Sequence, residues 1–270
     1  MMQQTGRAAS LWRMLSLYRL RMVDGIVQDI RQRYVGSLLG VSWAVLFPLL
    51  QLSIYAALYG FIFKVRPSGL GEAGYVLLVF SGLVPLLAFN EALTAATSSL
   101  ASNKSLLLNT VFPAELIPVR AGLAAHAPSL VGLAVTLVAG YLFGRTGWQA
   151  TLLVPVFWVL LLMFALGIGW VLSLLSLVVR DIQHGIGLVI MLMVVLSPFA
   201  YTPDMVPSAM KPLVYLNPLS YFVLTFQQII CYGTWPDPVV ALVAVALGLA
   251  AIMVGFTFFQ RSKHVFFDYA

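Results

Sequence analysis

Six stretches of this chain are apolar for long enough to cross a lipid bilayer, and they limit its fold more than any single motif does. They are residues 38–63, 75–98, 116–143, 151–177, 185–201 and 238–259. A bilayer's hydrocarbon core is about 30 Å thick, so a helical span takes roughly 20 apolar residues. The fifth stretch is the shortest and stops at prolines. Composition agrees, with 61% of the 270 residues hydrophobic and 9% charged, against roughly 25% charged in soluble domains. A soluble fold of this length has too little interior to hide so much apolar surface. The expected class is an all-α integral membrane protein with six transmembrane helices.

Charge gives the orientation. An even number of spans puts both ends on one side, and loops rich in Lys and Arg stay in the cytosol. The first 34 residues carry Arg7, Arg13, Arg19, Arg21, Arg31 and Arg33. Lys104, Arg120, Arg180, Arg261 and Lys263 fall on the same side. Only Lys64, Arg66, Arg145 and Lys211 fall on the other. Both termini are expected in the cytosol, and so is the polar break at residues 99–115. No cleavable signal is expected, because the arginines stand where its apolar core would lie. The organisation is then a cytosolic N-terminus (1–34), a transmembrane domain (35–260) and a short cytosolic tail (261–270).

Two segments are neither span nor simple loop. Leu11, Leu15, Tyr18, Met22, Ile26 and Ile30 recur at helical spacing, with Arg13, Arg21 and Arg31 largely elsewhere on the wheel. That pattern predicts an amphipathic helix in the cytosolic interface, with Arg31, Arg33 and Tyr34 at its end. It serves as an anchor, or as an anchor that also cradles a cytosolic partner. Residues 202–236 are too broken to span, and half of the 14 prolines lie between Pro198 and Pro238. Two short helices joined at Asn217–Pro218 are expected there. They either re-enter the membrane, which requires burial in protein, or lie flat on its surface.

Catalytic chemistry is hard to find. The four lysines follow Phe63, Asn103, Met210 and Ser262, so the Gly-Lys pair of a phosphate-binding loop is absent. A single cysteine, Cys231, gives no internal disulfide, and His126, His184 and His264 match no zinc spacing. No metal or cofactor is expected in the chain, and no nucleic-acid partner. Glu91 and His126 are isolated ionisable groups within spans and form no proton relay. Tyrosines and tryptophans near span ends read as an interfacial belt. The alternative is a sugar pathway, because the faces of aromatic rings attract the weakly positive C–H faces of sugars.

Three stretches taken together resemble a known family. They are "DIRQRYVGSLLGVSWAVLFPL", "NKSLLLNTVFPAELIPVR" and the run of "VVRDIQHGIGLV", "SPFAYTPDMVP" and "LNPLSYF". In order and spacing these look like the permease subunit of ABC-2 transporters, most of all the branch exporting capsular polysaccharide, O-antigen or teichoic acid. Gly40, Trp43 and Pro48 match the start of its first span. Arg180 with Asp181, and Asn217 with Pro218, match later marks.

The resemblance implies a homodimer of permeases in the bacterial inner membrane. Two ATP-binding subunits in the cytosol would hold the ATP and Mg, so the chain itself is no enzyme. In a Gram-negative cell a periplasmic adaptor (a polysaccharide co-polymerase) and an outer-membrane exporter would join them. The resemblance turns residues 99–115 from a solvated loop into a coupling segment. Leu106, Leu107 and Leu108 would pack into the ATPase, and Asn103, Lys104 and Asn109 would hydrogen-bond to it. Phe112–Pro113 would close the segment. Tyr55, Tyr59, Tyr201, Tyr221 and Phe222 are the candidate polymer-pathway residues. The expected cargo is a lipid-linked capsular polysaccharide, with external Lys211, Arg145 and Arg66 available to an acidic chain. O-antigen, teichoic acid, or a drug or lipid are the alternatives within the superfamily.

Overall fold

A computed structural model of the chain describes residues 11–62, 69–103 and 112–267, and among them every regular element is helical. Helix α1 spans Leu11–Gln32 and α2 spans Trp43–Ala57. A 3-10 turn at Gly40–Ser42 leads into α2, and a π-helical turn at Leu58–Ile62 continues it. Helix α3 is Glu72–Ser102, α4 Leu116–His126, α5 Ser129–Leu142, α6 Gln149–Val178 and α7 Asp181–Leu196. The short α8 (Lys211–Leu216) and α9 (Pro218–Phe226) follow, and α9 runs into a second π-helical turn at Gln227–Cys231. Helix α10 is Pro238–Phe267.

Four of these are long and apolar enough to cross a membrane, and α4 with α5 makes a fifth if their 43° bend lies within one span. The bend falls at Pro128, whose ring removes a backbone N–H and clashes with the preceding turn. The fifth expected span, 185–201, corresponds to α7. It has 16 residues, which at 1.5 Å each gives only about 24 Å. It starts earlier than expected, at Asp181, and stops at Ser197, just before Pro198. The prolines that shortened the apolar run also shortened the helix.

Helix α3 is the centre of the bundle. Its span is 78% buried, while that of α2 is only 6% buried. Helices α6 and α10 pack closest. A Cβ on Gly255 would land on the carbonyl of Gly167, and one on Gly248 would sit 2.8 Å from the Leu160 carbonyl oxygen. Small residues of this kind let membrane helices touch backbone to backbone, where dispersion rather than water exclusion drives association.

The second half of the proline-rich segment, from Asn217 to Cys231, is enclosed by protein. Leu219, Phe222, Val223, Phe226, Ile229 and Ile230 have no exposed surface. Phe222 stacks on Phe164 at 5.6 Å, and Phe164 stacks on Phe89 at 5.4 Å. Phe164 and Phe89 lie midway along α6 and α3, so α9 starts at the middle depth of the bundle. Side chains hold its irregular backbone. Asn217 accepts from the Leu219 N–H as an N-cap, with Pro218 at the first helical position. Its amide donates to the Met193 carbonyl at 2.7 Å and to Ser197 Oγ at 2.9 Å, joining α9 to the end of α7. Gln227 donates to the carbonyls of Pro198 and Phe199. Thr146 donates to the Ile230 carbonyl, and Gln149 to that of Gly233.

Helix α1 lies against α4. Its inner stripe is Met14, Tyr18, Met22, Gly25 and Asp29, with Met14 and Met22 buried. Leu17, Leu20, Val23 and Val27 are exposed on the opposite face. The helix is therefore a bracket with one side on protein and the other free for lipid.

The Gly255–Gly167 approach yields a test. Gly255→Val overpacks the α6–α10 contact and lowers unfolding stability by about 1–3 kcal/mol, read as a lower melting temperature in detergent. Gly187 on α7 has nothing within 4 Å, and Gly187→Val stays within about 0.5 kcal/mol of the parent. Equal losses in both variants would refute the packing argument.

Candidate functional site: the polar break and its ties

The polar break joins α3 to α4 at one end of the bundle. That end also carries Arg31, Arg33, Arg180, Arg261 and Lys263 and is called the basic end below. Lys104, Leu106, Leu107, Leu108 and Asn109 lie outside the described residues. Both flanks of the break are described. On the α3 side, Ser102 closes the helix and the Asn103 amide donates back to the Ser99 carbonyl at 2.8 Å. On the α4 side, Phe112 meets Tyr18 of α1 edge-on, with ring centroids 5.8 Å apart. Pro113 then leads through a turn into α4.

Glu115, directly before α4, is the most heavily tied residue at this end. Its carboxylate is buried and accepts from Lys263 Nζ of α10 at 2.6 Å. Its carbonyl accepts from the indole N–H of the fully buried Trp170 of α6 at 2.8 Å. One turn into α4, Arg120 makes a two-pronged ion pair with Asp29 of α1, at 2.9 and 3.1 Å. The Arg120 side chain reaches Asp29 across Gly25, where a Cβ would lie 2.6 Å from its Cδ. A bidentate guanidinium–carboxylate pair fixes orientation as well as distance. Beneath these ties Met22, Leu100, Leu116, Ile117, Trp170, Leu174 and Phe259 form one buried cluster. The exit of the polar break is thus joined to α1, α6 and α10 at once.

The end of α1 borders two clefts. Arg33 and Glu91 line both, the larger of about 780 Å³ and the smaller of about 290 Å³. The larger also takes in Asn90, Thr94, Ser98 and Ser102, a polar stripe at four-residue spacing along α3. The smaller brings together Tyr34, Trp43 and Pro48. Arg31 is exposed beside them. Gly40 has φ 52°, a left-handed backbone that carries no Cβ strain in glycine. At the start of α7, Arg180 is exposed and Asp181 occupies the first turn, where its charge suits the helix dipole.

The five candidate pathway residues separate. Tyr55 and Tyr59 stack at 6.3 Å on α2, and Tyr59 meets Tyr75 and Phe199 edge-on at 6.1 and 6.2 Å. Tyr201 follows two residues after Phe199 and donates to the Leu196 carbonyl. Tyr221 belongs to a different cluster, donating to the Tyr215 carbonyl. Phe222 is fully buried in the core of the chain and faces no passage within it.

Sequence does not single out Asp29, reads Trp170 only as one of the belt aromatics, and reads Arg120, Glu115 and Lys263 only as border charges. One signal was available. A charge such as Arg120, set in an apolar run, needs a partner, and Asp29 sits in an opposing stripe at the i, i+4 and i+7 spacing of Tyr18, Met22 and Gly25. Nothing local ties Glu115 to Lys263, which are 148 residues apart.

Comparison with known proteins follows this geometry. The family model of the ABC-2 type transporter matches residues 26–231, from the latter part of α1 to the end of the second π-helical turn. An O-antigen export system permease protein RfbA of Klebsiella pneumoniae is 28% identical over 242 residues, covering 88% of this chain and 90% of that protein. The RfbA permease of Myxococcus xanthus is 26% identical over 243 residues, covering 88% and 92%. An unbroken family match over most of the helical bundle, the tied polar break included, settles the assignment: this chain belongs to the ABC-2 type transporter family, as a multi-pass membrane subunit whose ATPase is a separate subunit.

Proposed function

We propose that this chain is the permease of an ATP-driven exporter of an O-antigen-class, lipid-linked polysaccharide. It would act in the bacterial inner membrane as a homodimer with two ATP-binding subunits. The observation that carries this is the alignment with O-antigen export permeases over about nine-tenths of both chains. It favours an O-antigen-class glycan over the capsular chain expected from sequence. Of the external cations, Arg145 packs its guanidinium over the backbone of Gly74, where a Cβ would come within 2.7 Å of it, and Arg66 lies outside the described residues.

In this reading the basic end faces the cytosol and residues 99–115 meet the ATPase. ATP binding biases the permease between closed and open forms only through contacts that differ between them. Glu115 is where such a bias would divide, passing to α10 through Lys263, to α6 through Trp170 and to α1 through Arg120 and Phe112. Helices α2 and α7 expose apolar side chains to a second protomer. Val45, Phe47, Leu50 and Ile54 are exposed on α2, and Leu188, Met191, Leu192 and Val195 on α7. Tyr55, Tyr59 and Tyr201 stand along that side. In a Gram-negative cell, a periplasmic adaptor and an outer-membrane exporter would take the chain onward.

Two measurements test the reading. In proteoliposomes carrying permease and ATPase, Lys104→Glu with Leu107→Ala leaves ATP hydrolysis running. Glycan export falls about tenfold, which corresponds to ~1.4 kcal/mol of lost discrimination between states; undiminished export would sink the coupling assignment. A double-mutant cycle of Asp29→Asn and Arg120→Gln returns a coupling of about 1–2 kcal/mol in unfolding stability. Additive losses would mean that the pair does not hold α1 to α4.

A further inference from the structure

At the end of the bundle opposite the polar break lies a cleft of about 670 Å³ that none of the coupling geometry uses. It opens between the turn before α8, the end of α9 and the start of α10. Its lining includes Tyr215, Tyr221 and Tyr232, two carboxylates from Asp204 and Asp237, and Gln228. No Lys, Arg or His lines it among the described residues. Its volume is that of a site for a small organic ligand.

The walls are rigid and the functional atoms are spare. Tyr221 is fixed by its O–H···O bond to the Tyr215 carbonyl at 3.0 Å, with the two rings 6.4 Å apart and tilted by 53°. Gln228 Oε1 accepts from the Asp237 N–H at 2.9 Å, which leaves its Nε2 hydrogens as unused donors. Asp237 Oδ1 caps α10 through the N–H groups of Val239 and Val240, which leaves Oδ2 as an acceptor. The π-helical turn, closed by the bond from the Tyr232 N–H to the Gln227 carbonyl at 3.1 Å, adds a residue and sets Gln228 and Tyr232 at the rim. Turns of this kind recur at functional sites. Burial, then Cys231 and Asp204, keep the Tyr232 hydroxyl above its ordinary range against the opposing pull of Arg145, so it stays an O–H donor.

Ring faces beside planar carboxylate and carboxamide groups suit one ligand chemistry. The rings take the C–H face of a pyranose. Carboxylate and amide groups bridge its vicinal hydroxyls as acceptor and donor. Asp204 and Asp237 are the charged side chains among the lining residues, and they repel phosphate, sulfate or uronate there. We propose that this cleft binds a neutral saccharide unit at the far end of the permease and discriminates against acidic ones. The proposal depends on the export reading only in its choice of saccharide over other polyols.

Binding is read on the permease alone, in phospholipid nanodiscs free of glycoside detergent, with no nucleotide and no ATPase. The probes are a mannan-derived oligosaccharide and an oligogalacturonate of equal length, followed by saturation-transfer NMR and titration. The neutral probe binds in the millimolar range, and Tyr215→Ala with Tyr232→Ala weakens it about fivefold or more. Both tyrosines are about half exposed, so this variant keeps its fold, checked by an unchanged melting temperature. Tyr215→Phe with Tyr232→Phe keeps the rings and retains more of the affinity. Asp204→Lys confers binding of the acidic probe, while Leu17→Ala, on the exposed face of α1, changes neither.

Equal affinity for both probes in the parent would overturn the proposal. So would binding untouched by the alanine pair, or competition by millimolar Mg²⁺, which would make the carboxylates a cation site. Lost binding with intact export counts against the cleft alone. Intact binding with no glycan export counts against the export reading alone.

Discussion

A hydrocarbon interior offers backbone N–H and C=O groups no water, so every departure from helix must find a partner inside the protein. Most of the side-chain chemistry of this fold answers that demand. The chain leaves regular helix after Ser197, again at the Asn217–Pro218 junction, and again in the π-helical turn after α9. At each place a polar side chain is aimed at the stranded groups: Asn217 at Met193 and Ser197, Gln227 at Pro198 and Phe199, Thr146 at Ile230. Once those bonds exist, α9 can start at mid-depth, and the Phe89–Phe164–Phe222 stack can form the core. The same demand governs charge. Arg120 and Glu115 are tolerable at the basic end because Asp29 and Lys263 meet them.

How much of this could be read from the residues depended on range. The long apolar runs gave the all-helical membrane class, because span length is a one-dimensional property of sequence. The recurrence of Tyr18 and Met22 gave α1, because helical periodicity is local. Asn217–Pro218 announced a helix start, as a cap followed by the one residue whose missing N–H costs nothing there. What stayed hidden was long-range. The Glu115–Lys263 and Trp170–Glu115 contacts join residues 148 and 55 positions apart, and no local pattern marks them. Phe222 illustrates the converse. Its aromatic character suggested a pathway lining, yet it is one of the largest fully buried side chains among the described residues. Composition cannot tell a ring that lines a passage from one that fills a core.

The basic end has a mechanical character of its own. Three helices distant in sequence converge on the dozen or so residues around Glu115. Each tie is of a different kind: an ion pair to α10, an indole hydrogen bond to α6, and a bidentate pair with an aromatic edge contact to α1. Packed elements of this sort shift as units, because protein interiors are as dense as organic crystals. A displacement imposed at Phe112 or Glu115 therefore moves α1 with α4, and Arg33 travels with the end of α1 beside Glu91.

The brevity of α7 carries a consequence for the lipid around it. At about 24 Å it falls roughly 6 Å short of the hydrocarbon thickness. A hydrophobic element that short draws the two leaflets toward each other, at a fraction of a kcal/mol per ångström of mismatch. Headgroups and their hydration then sag toward Ser197, Tyr201 and the mouth of the Asn217 junction. On that flank the insulating layer is thinner than the roughly 30 Å of an unperturbed bilayer.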